Sequence, residues 1–201
     1  RVIKMKRLEM LNILRNNIKD YSINSFLDIG TTEENKLESS NFFAKNFSYI
    51  KVKKSITNQN ISGEKFSAFL KKSITDNFSN DEIIKFKSDL VISSATIEHV
   101  GSFENQVKMV KNISELCNKC FFITTPYRFF PIDFHTKIPI IHMFPKKIHR
   151  KILTILGLED YAKEENLNLL DINSLKVIIE KLNKNIFKIK IMKIKLFGLT
   201  S

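Results

Sequence analysis

A chain of 201 residues with 43% hydrophobic and 10% aromatic residues has enough apolar material for one full core, which excludes a disordered chain. No apolar run approaches the roughly 20 residues that a membrane-spanning helix needs, and no signal-like segment opens the chain. The net charge of +12 raises nucleic-acid binding, but the lysines are spread over the whole chain. No RGG tract, RNP-like aromatic pair or zinc-finger spacing accompanies them, so a solvated basic surface is expected and a nucleic-acid partner is not. The same chain is rich in Asn, Ile, Phe and Ser, the mixture that an AT-rich coding sequence produces. It opens on Arg1 rather than Met, as a segment that starts inside a longer reading frame would.

The segment "KMKRLEMLNILRNNI" places Met5, Leu8, Leu11, Leu14 and Ile18 at helical spacing. "INSFLDIG" follows as a short apolar run meeting a turn, the pattern of a buried strand. "ESSNFFAKNF" reads as a short helix capped by Ser39 or Ser40, and residues 49–57 and 66–74 read as strands. "SDLVISS" is an apolar strand, and "SFENQVKMVKNISELC" an amphipathic helix capped by Ser102, with Val107, Val110, Ile113 and Leu116 on one face. "CFFITT" is the next strand. "PKKIHRKILTILG" is a helix closed by Gly157, and "DINSLKVIIEKLN" a helix capped by Asp171 or Asn173. From Ile186 to Leu196 apolar residues alternate with lysines, which predicts a strand with one wet face, antiparallel or at an edge.

Strands alternating with helices predict an α/β fold: a Rossmann-like, mostly parallel, doubly wound sheet with helices on both faces and an antiparallel last strand. One domain over residues 1–201 is expected. In such sheets ligands lie beyond the carboxyl ends of the strands, where the strand order reverses. Asp28, Ser93 to His99 and Thr124 to His135 all fall just past expected strand ends. Cys117 and Cys120 form a lone C-x-x-C. Zinc would need a second ligand pair, which is absent, so neither metal nor redox chemistry is expected there, and the compartment should be reducing and cytoplasmic.

Three short motifs offer chemistry. In "LDIGTT", Asp28 can accept hydrogen bonds from a ligand and Gly30 lets backbone approach closely, although a strand ending in an Asx turn would look the same. "SSATIEHV" sets Glu98 beside His99 at the mouth of a strand, an acid and an imidazole placed for proton transfer near neutral pH, or a helical turn on which His99 merely packs. "DFHT" puts Asp133 two residues before His135, and "PIIHMF" holds His142 among apolar residues as a packed histidine. No histidine spacing demands a metal, and none is expected.

"SDLVISSATIEHVGSFENQ", then "FFITTPYRFFPIDFHTKIPIIHMFPKKIHR" and "KEENLNLL", closely resemble a bacterial group of class I S-adenosylmethionine-dependent methyltransferases. "LDIGTTEENKLESSNFF" resembles the same group's first motif, with its usual second glycine replaced. Together these segments cover most of residues 25–170. The resemblance implies S-adenosylmethionine as cofactor, with Asp28 and Gly30 at its amino acid end, Asp76 at the adenine, and Ser93, Ser94 and Ala95 lining it. It implies that Glu98 and His99 open the acceptor side and that residues 126–150 form an acceptor cap whose polar members are Tyr127, Arg128, Asp133 and His135. His99 is the first choice of base and His135 the second. The acceptor implied is a small-molecule or saccharide hydroxyl.

The chain departs from the group's pattern in three places. An acid for the ribose hydroxyls usually follows the second strand, whereas "KKSITNQNIS" offers Asn58 or Asn60. Tyr127 stands where Asn is common, and the chain stops at Ser201 where the group continues into a last antiparallel strand. The rival readings are a non-catalytic methyltransferase-like binding protein, a basic nucleic-acid-binding module, and a nicotinamide-dependent oxidoreductase. The absence of G-x-G-x-x-G speaks against the last.

Overall fold

The computed structural model describes residues 2–33, 41–182, 187–196 and 199–200. It contains two compact units, one of residues 1–94 and 111–124, the other of residues 95–110 and 125–201. Among the described residues no helix is long and apolar enough to cross a membrane.

The first unit is built on five parallel strands: β1 (Ser25–Ile29), β2 (Val52–Thr57), β3 (Ala68–Lys71), β4 (Ser88–Ser94) and β5 (Cys117–Thr124). Their order is β3-β2-β1-β4-β5, so the chain reverses its direction of winding between β1 and β4. β1 pairs with both neighbours, Phe26 against Lys53 and Leu90, Asp28 against Ser55 and Ile92. A parallel strand buried on both faces must be apolar nearly throughout, and Phe26, Leu27, Ile29, Leu90, Val91 and Ile92 are all at most 2% exposed.

Helix α1 (Val2–Ile18) and the short α2 (Phe42–Asn46) cover one face. Leu11, Leu14 and Ile18 of α1 join Phe43, Phe47 and Ile50 against Phe26, Leu90 and Ile92, with Phe122 of β5 packed alongside. Phe26 and Phe47 stack with ring centroids 5.9 Å apart. The caps expected at Ser39 or Ser40 lie outside the described residues, and α2 begins after Asn41, whose φ is 53°. Helix α3 (Asn80–Phe86) was not anticipated, although "SNDE" carries its signal: Ser79 Oγ accepts from the Glu82 amide, and the Glu82 carboxylate accepts from the Ser79 amide.

The strand expected at 49–57 starts three residues later and ends where expected, the one expected at 66–74 is shorter at both ends, and β4 spans the expected seven residues. β5 starts at Cys117, three residues early. Both cysteines are free, and burial pushes the Cys117 thiol up to about 12 and raises that of Cys120. Neither offers a thiolate near neutral pH, which removes the nucleophile that C-x-x-C chemistry needs.

The second unit begins with a 3₁₀ turn at Ile97–His99 and the first two turns of α4 (Phe103–Glu115). Ser102 caps α4 by accepting from the Asn105 amide at 3.2 Å. A long loop with a second 3₁₀ turn at Ile141–Met143 leads to α5 (Lys146–Ile155), α6 (Glu159–Ala162) and α7 (Ile172–Glu180). Gly157, at φ 72°, ends the α5 segment as expected. Of the two candidate caps for α7 it is Asp171 whose carboxylate accepts, from the Ser174 amide at 2.8 Å. Asp171→Ala should therefore cost about 1 kcal/mol in urea unfolding, with no change in the slope of the transition.

The expected antiparallel last strand is not part of the central sheet, whose strands are all parallel. Residues 187–194 form no ladder. β6 (Lys195–Leu196) pairs with β7 (Leu199–Thr200) in a separate two-stranded antiparallel ladder. The burial alternation is present as far as Ile191, with Phe187, Ile189 and Ile191 half-buried and Lys188 and Lys190 exposed, and it breaks at Met192 and Lys193, which are both exposed. Period-two patterning reports which side of an extended segment is dry, and a segment lying on a surface satisfies it without any strand partner.

Candidate functional site

In the first unit the polar residues gather at the carboxyl ends of β1, β2 and β4. Asp28, Ser93 and Ser94 lie in the last residues of their strands rather than beyond them. Asp28 is 7% exposed, and burial pushes its carboxyl up to about 7, partly offset by the hydrogen bond from Thr31 Oγ1 at 2.7 Å. Thr31 Oγ1 also meets Ser55 Oγ at 2.8 Å, and Thr57 Oγ1 donates to the Thr31 carbonyl at 2.9 Å. This buried chain of hydroxyls fixes the turn after β1. At that turn Gly30 adopts φ 81°, open to glycine at little cost, while its amide donates to the Ile56 carbonyl at 2.9 Å.

Ser93 Oγ is buried without a hydrogen-bond partner among the described residues, and Ser94 Oγ is 3.0 Å from Thr124 Oγ1. Asn58 is exposed just past β2, whereas Asn60 is engaged by Lys71 Nζ. Asp76 is exposed past β3, and its carboxylate closes a local turn on the Ser73 amide at 3.1 Å. Asn112 of α4 donates to the carbonyls of Ile74 and Asp76, which holds that turn in place.

In the second unit Ala95 takes φ 53°, a left-handed conformation costly for a residue with a Cβ and characteristic of sharply turned functional segments. The 3₁₀ turn that follows is tied down on several sides. Gln106 of α4, fully buried, donates to the carbonyls of Ile97 and Asn168, while the Asn168 amide donates to the Glu98 carbonyl at 2.7 Å. Asn168 Nδ2 adds a bond to the Gly101 carbonyl at 2.7 Å.

Held in this way, Glu98 is fully buried. Burial raises its carboxyl's pKa, against the lowering influence of His99, His135 and a 2.9 Å hydrogen bond donated by Thr125 Oγ1 to Oε2. Its Oε1 has no hydrogen-bond partner among the described residues and lies 3.9 Å from His135 Nε2. His99 and His135, 36 residues apart in sequence, face each other with their Nε2 atoms 3.2 Å apart. His99 Nδ1 contacts the Asn166 carbonyl at 2.6 Å, and His135 Nδ1 contacts Asp133 Oδ1 at 3.2 Å.

Asp133 is 2% exposed, and its oxygens take up the His135 amide, the Thr136 amide and the Thr136 hydroxyl. Burial works to raise its pKa, but these bonds outweigh that and hold the carboxyl well below the usual range. It orients His135 rather than presenting a free carboxylate. Arg128 donates to the carbonyls of His142 and Phe144, so the guanidinium braces the loop from within. Tyr127 bridges to Leu170 and lies under Lys193 Nζ at 5.1 Å from the ring centroid. His142 is buried, with Nε2 donating to the Phe130 carbonyl.

The structure thus brings Glu98, His99, Asp133 and His135 into one cluster and leaves Tyr127 and Arg128 as parts of the loop around it. Sequence reasoning missed Thr31, Ser55, Thr57, Gln106, Thr125, Asn166 and Asn168. Each is an uncharged polar residue in or beside an apolar run, the one trace of them legible beforehand.

No protein-family model matches the chain, and no curated protein is similar to it. Among solved structures, the crystal structure of the N-methyltransferase NodS from Bradyrhizobium japonicum WM9 aligns over 96% of this chain and 88% of that chain, with a TM-score of 0.53 at 9% identity. A crystal structure of the same enzyme in complex with S-adenosyl-L-homocysteine aligns over 56% of each chain, with a TM-score of 0.41 at 12% identity. The first likeness establishes the fold, a Rossmann-like sheet shared with that N-methyltransferase.

Proposed function

We propose that the chain is an S-adenosylmethionine-dependent methyltransferase acting on a hydroxyl of a small molecule or saccharide. The observation that carries this reading is the buried carboxylate of Asp28 at the carboxyl end of β1, beside the reversal of strand order, in a fold shared with an N-methyltransferase. In this reading Asp28 receives the cofactor's ammonium, the Gly30 turn admits its amino acid end, and Ser93 Oγ supplies a polar contact. Ser94 and Ala95 line the cofactor, Asn58 meets the ribose and Asp76 the adenine. The acceptor class rests on the sequence resemblance.

Methyl transfer is an in-line displacement: an acceptor oxygen attacks the methyl carbon, the carbon–sulfur bond breaks, and the electron pair returns to sulfur as the thioether. The hydroxyl proton goes to a base, for which His99 Nε2 is the first candidate and His135 Nε2 the second. Residues 126–150 act as the acceptor cap, stiffened by Pro126, Pro131, Pro139 and Pro145, with Arg128 and Asp133 shaping it from inside and the Tyr127 ring offered to the acceptor.

Calorimetric titration with S-adenosylmethionine, with NAD as control, tests the reading. Micromolar affinity for the former alone is expected, and no binding to it would leave a methyltransferase-like protein without the reaction. With an acceptor in hand, His99→Ala should lower kcat at least a hundredfold. Turnover that survives His99→Ala but not His135→Ala would reverse the assignment of the base.

A further inference from the structure

We infer that Glu98 Oε1, His99 Nε2 and His135 Nε2 form a binding site for one divalent transition-metal ion. One possible ligand atom from each of these residues lies within 4.8 Å of the other two, and His135 Nε2 is 3.2 Å from His99 Nε2 and 3.9 Å from Glu98 Oε1. A carbonyl oxygen can only accept, so the 2.6 Å contact to Asn166 fixes the proton of His99 on Nδ1. The contact to the Asp133 carboxylate, 3.2 Å, fixes that of His135 on Nδ1 in the same way. With Nδ1 of each ring engaged in this way, the two Nε2 atoms face each other across 3.2 Å, an arrangement that needs a positive charge, a proton or a cation, between them.

A single proton shared by the two nitrogens would serve them but would leave Glu98 Oε1 buried with no partner among the described residues. One cation satisfies all three atoms. Zinc–nitrogen bonds of about 2.1 Å in tetrahedral geometry put the nitrogens about 3.4 Å apart, close to the spacing present. The Glu98 oxygen, 3.9 Å from His135 Nε2, needs to close on that atom by about half an ångström. The surroundings are those of a metal site as well. Each imidazole donates its other N–H to an oxygen, Thr125 holds the second Glu98 oxygen, and Gln106 and Asn168 clamp the turn that carries two of the three ligands. Two histidines and one carboxylate leave coordination positions open, which suits Zn²⁺, Fe²⁺ or Mn²⁺ and an oxygen ligand.

The site goes beyond the methyl-transfer reading and does not depend on it. With a cation bound, neither Nε2 is free as a base, so the base assigned above belongs to the metal-free protein alone, and a bound cation would instead acidify a hydroxyl that it held. Chelator-treated protein, titrated with Co²⁺ in the absence of any cofactor, decides the matter. One Co²⁺ per chain is expected at micromolar affinity, with visible ligand-field bands and no thiolate charge-transfer band. His99→Ala and Glu98→Gln should each weaken binding at least tenfold and remove the metal-induced rise in melting temperature. His99 is exposed, so its variant keeps the fold, and metal-free melting curves verify this. Absence of binding by the wild type, binding undiminished by His99→Ala, or a thiolate band implicating Cys117 and Cys120 would each overturn the inference. Cofactor titration is a separate measurement, so failure of one reading leaves the other standing.

Discussion

At pH 8, Asp28→Asn is expected to melt higher than the wild type and yet to bind S-adenosylmethionine more than tenfold more weakly. The two effects share a cause. Burial raises the Asp28 carboxyl from an ordinary 3.8 to about 7, so the folded state holds a proton that the unfolded state has already released. Between those values stability falls as pH rises, because ionisation proceeds more readily in the unfolded chain. Above pH 7 the accumulated cost is up to about 4 kcal/mol, from three pKa units at 1.36 kcal/mol each. Asparagine removes that cost, a gain of roughly 10 °C for a chain of this size, and can still bond the Thr31 hydroxyl. It cannot supply the negative charge that the proposed ammonium contact needs. The wild type should moreover release close to one proton on binding cofactor at pH 6, where the Asp28 carboxyl is largely protonated and the cofactor's amine is already an ammonium. Calorimetry in buffers of different ionisation heat reads this directly. A variant that neither gains stability at pH 8 nor loses affinity would remove Asp28 from the proposed cofactor contact.

Phe26→Ala should cost about 3–5 kcal/mol, the largest stability loss expected of any single truncation in the sheet. Phe26 is fully buried in the centre of the sheet, stacked on Phe47 and pressed between β4 and the helices α1 and α2. The cavity left behind cannot collapse easily, because parallel neighbours on both sides fix the position of β1. Asp28 stands two residues further along the same strand, so cofactor affinity should fall together with stability. Phe26→Leu should recover most of both. Chemical denaturation followed by circular dichroism measures the first effect, and a loss below 1 kcal/mol would show that the cluster around Phe26 is not the core of this unit.

Much of this architecture is written locally. The run "SDLVISS" becomes β4 residue for residue, and "SFLDI" becomes β1, because a strand buried on both faces must be apolar and must end in a turn. Ser102 and Asp171 cap the helices they precede, since a short oxygen-bearing side chain there satisfies amides that nothing else reaches. The pairing of Glu98 with His99 and of Asp133 with His135 is also a matter of adjacency, and both pairs stand out in the sequence.

What the tertiary structure alone decided is of another kind. The order β3-β2-β1-β4-β5 sets β4 beside β1 across an interval that contains two other strands, and no local pattern specifies that neighbour. The alternating lysines of residues 187–191 describe a wet side and a drier side but say nothing about strand partners, and the expected last strand is absent from the central sheet. The meeting of His99 with His135, and the choice of Asp133 as support for His135 rather than as a ligand-facing acid, depend on where a long loop is folded back. Periodicity and capping are properties of a few consecutive residues, whereas the juxtaposition of side chains dozens of residues apart is fixed by packing and by the hydrogen bonds that hold each turn in place.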